Sequence, residues 1–368
     1  MNRIIDFLKK EIVLSVSFVL ALISMFFVPP SEKYFDYIDF RTLGLLFSLM
    51  TIMAGLNKMG IFRLLAKNLL NKAKTMRGVT LLLVLLCFFS SMLITNDVAL
   101  ITFVPFSVVL LKLANKQNRM IFVVTLETIA ANLGSMLTPI GNPQNLYLFS
   151  AYNMSITDFF YTIAPYEMLS LGLLVIFSLF SDKSELANLG DREEVIFDKR
   201  LLTMYAVLFA IALLSVFRVL NYIVLLAAVI VFVLIFDRKV LLKVDYSLLF
   251  TFVFLFIFIG NLGNIAQINS WLSEIVGGNE VVVGVLASQV FSNVPAAILL
   301  SGFTCNAAAL MIGVNIGGLG TLIASMASLI SFKFIQKESV SIVKYLGVFT
   351  LLNVVFLAAN LALWVVVK

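Results

Sequence analysis

The chain has 368 residues, of which 61% are apolar and only 12% charged, and its mean hydropathy is +1.07. Soluble domains carry about 25% charged residues, so the composition excludes a soluble enzyme, a nucleic-acid-binding module and a disordered chain. At ~20 residues per span, the apolar residues suffice for about eleven membrane-crossing helices. The net charge of +6 does not point to nucleic acid, because the basic residues sit in short runs at the ends of apolar segments, where the positive-inside rule puts them. Histidine is absent, which leaves intramembrane proton chemistry to Asp and Glu. Cys87 and Cys305 stand far apart in apolar sequence without C-x-x-C spacing, and both read as packing residues. A cleaved signal peptide is not expected: Ile12–Val28 is too long for its apolar core and is followed by Pro29-Pro30.

In chain order, apolar runs lie at 12–28, 40–57, 79–94, 98–114, 119–137, 163–181, 201–217, 219–236, 247–263, 281–291, 295–304, 307–316, 321–334 and 341–366, with a short continuation at 146–150. The third run and the part of the fourth before its first charge, 98–111, are too short to span: helices of ~24 Å and ~21 Å face a hydrocarbon core of ~30 Å. Between them stands Thr95-Asn96-Asp97, and both outer flanks are basic (Lys72, Lys74 and Arg77; Lys112, Lys116 and Arg119). The pattern predicts a re-entrant helical hairpin over about 79–114 with a polar tip inside the membrane, tolerated only where protein buries it or it lines a cavity.

Loop charges set the expected orientation. Arg3, Lys9 and Lys10 place the N-terminus in the cytoplasm, and the six basic residues of 58–77 mark a cytoplasmic interfacial helix. The charged linker 182–200 and the Lys333/Lys337 segment fall on the same side, which leaves the C-terminus outside.

Self-comparison finds an internal repeat. Residues 91–99 (SMLITNDVA) align with 288–296 (SQVFSNVPA), pairing Ser91 with Ser288, Thr95 with Ser292 and Asn96 with Asn293. Residues 131–146 align with 314–329, pairing Asn132, Gly134 and Thr138 with Asn315, Gly317 and Thr321, and Ile38-Asp39-Phe40 aligns loosely with Val244-Asp245-Tyr246. Segment 58–77 is basic, whereas its counterpart 261–280 holds no basic residue and two Glu, so the repeats are expected to be antiparallel. The expected fold is an all-α polytopic membrane protein of about 10–11 transmembrane helices in two inverted-topology repeats. The first would cover 1–181, with an unwound helix at 138–145. The second would cover 201–368, with a hairpin at 281–304 and an unwound helix at 317–325. Secondary transporters bind their cargo at the midplane between such repeats.

Unwound turns free backbone carbonyls for a hard cation, and helix N-termini present amides to an anion. Ser91 and Asn96, like Ser288 and Asn293, are spaced so that a hydroxyl on the arm joins the tip amide. The competing reading is that Gly, Pro, Ser and Thr only mark kinks and close packing. Asp97 is the sharpest feature, since a carboxylate at bilayer depth costs about 2.5–3.5 kcal/mol unless protonated, paired or binding a cation; alternatively it only caps the helix after the tip. Glu127 is the second proton-coupling candidate, placed about one turn from the cytoplasmic boundary.

TNDVALITFVP, LTPIGNPQN and SNVPAA together resemble the citrate-transporter-like ion transporter superfamily, which holds sodium-coupled carboxylate carriers, arsenite efflux permeases and sodium/proton antiporters. The resemblance covers nearly the whole chain. It implies two hairpins entering from opposite sides, homodimers and elevator-type movement. It also implies one cation site on Ser91, Asn96 and Gly141 and another on Ser288, Asn293 and Ala324, with Thr95 and Ser292 at the two tips. Substrate would lie near Asn96, Asp97, Asn142, Pro143, Asn293 and Ser325. The tip Thr-Asn-Asp departs from the Ser-Asn-Thr of the carboxylate carriers; an ionised Asp97 would repel a multiply charged carboxylate, so the arsenite-permease branch is the nearer likeness.

The expected function is H⁺- or Na⁺-coupled secondary transport of a small anion or oxyacid across the cytoplasmic membrane. The alternatives are a monovalent cation/proton antiporter and a proton-driven arsenite or metalloid efflux permease. No enzymatic activity is expected, because one deep Asp and no His offer no catalytic pair. No bound cofactor or metal centre is expected beyond a coupling Na⁺ or H⁺, and the expected partners are the lipid bilayer, the anion and a second subunit, with no nucleic acid.

Overall fold

A computed structural model of the chain describes residues 11–60, 75–184 and 198–367. Arg3, Lys9, Lys10, Lys368, most of the expected interfacial helix (61–74) and most of the linker (185–197) lie outside the described residues. The described residues are helical without a β-strand. The first half contains α1 (Ile12–Phe27), α2 (Phe40–Lys58), α3 (Met76–Ile94), α4 (Asn96–Leu113), α5 (Met120–Gly134), α6 (Pro143–Ala151) and α7 (Ile156–Leu179). The second contains α8 (Lys199–Val216), α9 (Tyr222–Phe236), α10 (Tyr246–Gly263), α11 (Ala266–Val276), α12 (Glu280–Phe291), α13 (Asn293–Ser301), α14 (Ala307–Ile316), α15 (Met326–Ile335) and α16 (Ile342–Val367).

Eight described helices are long and apolar enough to cross a membrane, and α11 and α12, bent by 110°, add a ninth if they count as one span. Helix starts follow local chemistry. Asp39 accepts from the Thr42 amide at 3.0 Å and Asp245 from that of Leu248 at 3.0 Å, so the Asp residues of the loosest repeat match perform the same N-cap duty for α2 and α10. Thr75 caps α3, Ser155 caps α7 and Asn306 caps α14.

Packing places α5 at the centre. The span that includes α5 is almost wholly buried, whereas α16 is mostly exposed; this difference separates a helix enclosed by protein from one at the rim. α5 packs on α3, α4, α7, α15 and α16; α12 packs on α13 and α14; α1 packs on α10; and α2 packs on α8 and α9. The outer ends of α3, α4, α7 and α15 meet through Lys112–Glu338, Lys116–Asp182 (3.6 Å) and Thr80–Ser181 (2.9 Å). The outer ends of α6 and α13 meet through Tyr147 and Tyr152, whose hydroxyls reach Ser301 at 2.7 and 3.0 Å, with Tyr152 also donating to the Thr304 carbonyl at 2.9 Å.

Three expectations need correction. Helix resumes at Pro143, so the first break is 135–142 rather than 138–145; Asn142 caps α6 and the ring of Pro143 presets the first helical φ. The α3–α4 arms extend over 76–113, because Thr75 opens α3 and only Thr95 leaves the helix at the tip, so each arm is long enough to cross a membrane rather than too short. Cys305 is exposed in the turn before α14, while Cys87 is buried as expected.

Candidate functional site

Two tips with one backbone conformation define the site. Between α3 and α4 Thr95 stands at φ 70°, ψ 151°, and between α12 and α13 Ser292 stands at φ 73°, ψ 153°. Positive φ in residues that are not glycine costs on the order of 1–3 kcal/mol each and persists only where surrounding structure imposes it. The next residue repeats the match: Asn96 Oδ1 accepts from the Asp97 amide at 2.9 Å, and Asn293 Oδ1 accepts from the Val294 amide at 3.0 Å. Each Asn thereby closes its own helix start with its oxygen and turns its amide nitrogen elsewhere. Asn96, not Asp97, satisfies the first free amide of α4, and the Asp97 Oδ1 atom is buried with no hydrogen-bond partner.

The breaks meet the tips. The Asn96 amide donates to the Gly141 carbonyl at 3.2 Å, and Thr138 Oγ1 donates to the Met92 carbonyl on α3. A Cβ on Gly141 would sit 2.1 Å from the Ser135 carbonyl oxygen, so this turn has no room for a side chain. In the second half, Gln289 on α12 donates to the carbonyls of Gly317 and Leu319 at 2.9 Å each and accepts from the Thr321 amide at 3.0 Å. A Cβ on Gly317 would lie 2.7 Å from Ser288 Oγ, and one on Gly318 2.8 Å from Asn293 Nδ2, which places both predicted side chains against the second break.

Two asparagines join the halves reciprocally. Asn132, on α5, accepts from Asn96 Nδ2 at 3.3 Å and from Ser325 Oγ at 2.9 Å; its own amide reaches Ser328 Oγ at 3.4 Å and the Gly318 carbonyl at 3.5 Å. Asn315, on α14, accepts from Asn142 Nδ2 at 3.1 Å and donates to Asn145 Oδ1 at 2.6 Å. The Asn of each half thus bonds the break of the other. The structure brings together Asn96, Asn142, Pro143, Asn293 and Ser325, with Ala324 in the turn against α12. Ser91 and Ser288 line the arms but donate to backbone carbonyls of their own helices, Phe88 at 2.8 Å and Gly284 at 2.7 Å. Ser292 Oγ is buried without a partner.

Sequence reasoning missed the roles of Asn132, Asn315, Asn145 and Gln289, although the pairing of Asn132 with Asn315 in the repeat was the available signal. Glu127 is fully buried on α5, with one oxygen receiving Ser107 Oγ at 2.5 Å and the other unpartnered. Glu167 escaped notice because it falls near the start of an apolar run, but α7 begins at Ile156; its side chain is buried and neither carboxylate oxygen has a partner.

Chemically, four helices start at this place: α4, α6, α13 and α15. Their N-terminal amides and positive dipole ends suit an anion or a polar oxyacid. No Lys or Arg side chain takes part in the hydrogen bonds that build the site.

A family model described as citrate transporter matches residues 4–308. An uncharacterized transporter of Methanocaldococcus jannaschii is 33% identical over 350 residues, 94% of this chain and 95% of its own length. The inner membrane protein YbiR of Escherichia coli is 33% identical over 328 residues, 84% of this chain and 83% of its own. A silicon efflux transporter of Oryza sativa subsp. japonica is 31% identical over 160 residues, 43% of this chain and 32% of its own.

Proposed function

The chain belongs to the citrate transporter family of multi-pass membrane transporters, and from that premise we propose that it moves a small oxyacid or anion of low charge, coupled to H⁺ or Na⁺, by alternating access. The observation that carries this reading is the reciprocal pairing of Asn132 and Asn315 with the opposite break. A centre held by both halves is one that movement of one half against the other would rebuild, and inverted repeats place cargo at such a centre. The matching tips support hairpins related by the repeat. The separate gathering points of their outer ends, at Lys112–Glu338 and at Ser301–Thr304, support entry from opposite sides.

The low charge of the cargo follows from the donor set. Amides, hydroxyls and helix N-termini neutralise a partial or single charge, and with no guanidinium or ammonium in the network a tricarboxylate would carry uncompensated charge into a low-dielectric site. Asp97 adds a further negative group when ionised. The rice relative, named for silicon efflux, is in keeping with a small hydroxylated acid as cargo. In this reading Asn96, Asp97, Asn142, Pro143, Asn293 and Ser325 face the cargo. The coupling cation uses Ser91, Thr95, Asn96 and Gly141 on one side and Ser288, Ser292, Asn293 and Ala324 on the other, and the protein works as an elevator-type homodimer in the cytoplasmic membrane. A second reading, monovalent cation/proton exchange, is favoured by the unpartnered Asp97 oxygen alone.

Proteoliposomes test the choice. Arsenite, phosphate, sulfate, succinate and citrate are offered under imposed H⁺ or Na⁺ gradients. Gradient-dependent accumulation of arsenite, or of phosphate as its monoanion, is the expected result. Accumulation of sulfate, succinate or citrate without either of these would overturn the low-charge reading, and Na⁺/H⁺ exchange with no acid moved would replace it with the second.

A further inference from the structure

Away from the site, the starts of α2 and α9 and the first half of α10 line an open groove of about 580 Å³ with apolar and aromatic side chains only, Phe40, Gly44, Tyr222, Ile223, Leu226 and Phe250 among them. Gly44 keeps the groove open: a Cβ there would already lie 3.0 Å from the Tyr222 ring. Two arginines stand at the end where α2 and α9 begin. Arg41 follows Phe40 and donates to the Ser215 carbonyl at 3.2 Å, at the end of α8. Arg218, in the α8–α9 turn, donates to the Phe149 carbonyl at 2.9 Å and lies over the Phe149 ring at 5.4 Å.

The pair is unusual in three respects. No Asp or Glu among the described residues forms an ion pair with either guanidinium, and the Arg41 Nε atom is buried without a partner. Arg218 occupies φ 63° in the turn that closes α8, a left-handed position where glycine is the usual residue. The two charges also feel each other: burial, and then the charge of Arg41, hold the Arg218 guanidinium below its ordinary value. The opposite end of α2 is different. There Lys58 reaches both carboxylate oxygens of Asp237, at 2.8 and 3.0 Å, so the positive charge is answered within the chain. At the Arg41 end the two guanidiniums meet helix-end carbonyls but no carboxylate among the described residues.

We propose that Arg41 and Arg218 together hold the phosphate of an anionic phospholipid, whose acyl chain lies in the groove between α2, α9 and α10. The chemistry matches at both ends: paired guanidiniums recognise a phosphodiester through charge-assisted hydrogen bonds, and an apolar groove open to the bilayer takes a hydrocarbon chain. The two are contiguous, since Phe40 and Tyr222 line the groove beside the residues that carry and cap the basic end. A zwitterionic lipid meets the same phosphate contacts but brings its own cation towards two like charges, so selection for the anionic headgroup is expected. This site is independent of the cargo assigned above.

The test uses the full-length chain in vesicles of phosphatidylcholine containing phosphatidylglycerol, with acyl bromination on one lipid at a time as the quencher. Ile223→Trp and Ile230→Trp, at the two ends of the groove and 57% and 38% exposed, provide reporters, and agreement between them guards against a misfolded variant. Brominated phosphatidylglycerol is expected to quench both at least threefold more than its share of the lipid allows. Arg41→Gln with Arg218→Gln should return quenching to that share. Equal quenching by the two brominated lipids would mean ordinary boundary lipid and would overturn the proposal. Protection from both lipids would mean that a second copy covers the groove, and would overturn it too. Relief of quenching by inorganic phosphate at millimolar concentration would make the arginines a site for the free ion rather than for lipid.

Discussion

The two tips share a backbone to within a few degrees and differ in one side chain that matters. After Thr95-Asn96 comes Asp97, and after Ser292-Asn293 comes Val294. Both Asn residues spend an oxygen on the next amide, so the frame is duplicated while its chemistry is not. One tip carries an ionisable group with a buried, unpartnered oxygen, and the other carries a methyl pair at the same place. Under the function proposed above this is a division of labour: the frame, present twice, positions cargo, and the acid, present once, couples it to an ion.

The largest effect that would break the comparison concerns the frame. Gly141→Ala puts a methyl 2.1 Å from a backbone oxygen, which only a shift of the first break relieves; overpacking of this kind costs about 3 kcal/mol or more, and loss of folded protein in size-exclusion chromatography is expected. Gly318→Ala meets the Asn293 amide nitrogen at 2.8 Å, a side-chain atom that can turn away, and the Asn315 carbonyl oxygen only at 3.3 Å, so the fold should survive with a loss of about 1 kcal/mol while transport falls. Equal tolerance at both positions would show that the two breaks are not built as described.

Next in size are the asparagines. Asn96→Ala and Asn293→Ala each remove an oxygen that satisfies a helix-start amide, at about 1–2 kcal/mol of stability, and take an amide nitrogen out of the centre. Transport is expected to fall to background in both, with thermal unfolding lowered by only a few degrees. If either variant transports like the parent, that tip is not part of the cargo site.

The acid yields the third prediction. Asp97→Asn keeps the shape and cannot release a proton. Downhill exchange of cargo should persist, while accumulation driven by a gradient disappears and the pH dependence of uptake flattens. A variant that still accumulates cargo with the parental pH profile would move coupling to another acid, with Glu127 and Glu167 the remaining buried carboxyl groups on α5 and α7.

The tips and breaks were legible in the sequence because a polar interruption of an apolar run has few physical explanations, and Asp97 stood out for the same reason. The cross-half partners were not. An Asn within an apolar helix, as at Asn132 or Asn315, shows that something polar faces it but not what, and only packing of α5 and α14 against opposite breaks supplies the answer. Boundaries misled at Glu167 and Pro143, where hydropathy ends a span earlier or later than capping does.

The smallest effect tests how each break is fastened. At the position of Gln289 the first repeat has Met92. In the second half the side chain of Gln289 bridges Gly317, Leu319 and Thr321; in the first half the direction reverses, and the Thr138 hydroxyl reaches back to the Met92 carbonyl. Gln289→Met therefore gives the second arm the residue of the first without giving its break the same hydroxyl contact. A half-buried neutral network of this kind contributes about 1–2 kcal/mol net, so the melting temperature should fall by roughly 2–6 °C for a chain of this size. Thr138→Val removes a single bond and should cost about half as much. Because Gly320, at φ 109°, packs where Gln289 Oε1 lies, the Met variant should also raise hydrogen exchange at 317–321 while leaving 135–142 unchanged. An unaltered exchange pattern would show that helix packing alone holds the second break, and the two fastenings would then be incidental rather than the means by which each half shapes its side of the site.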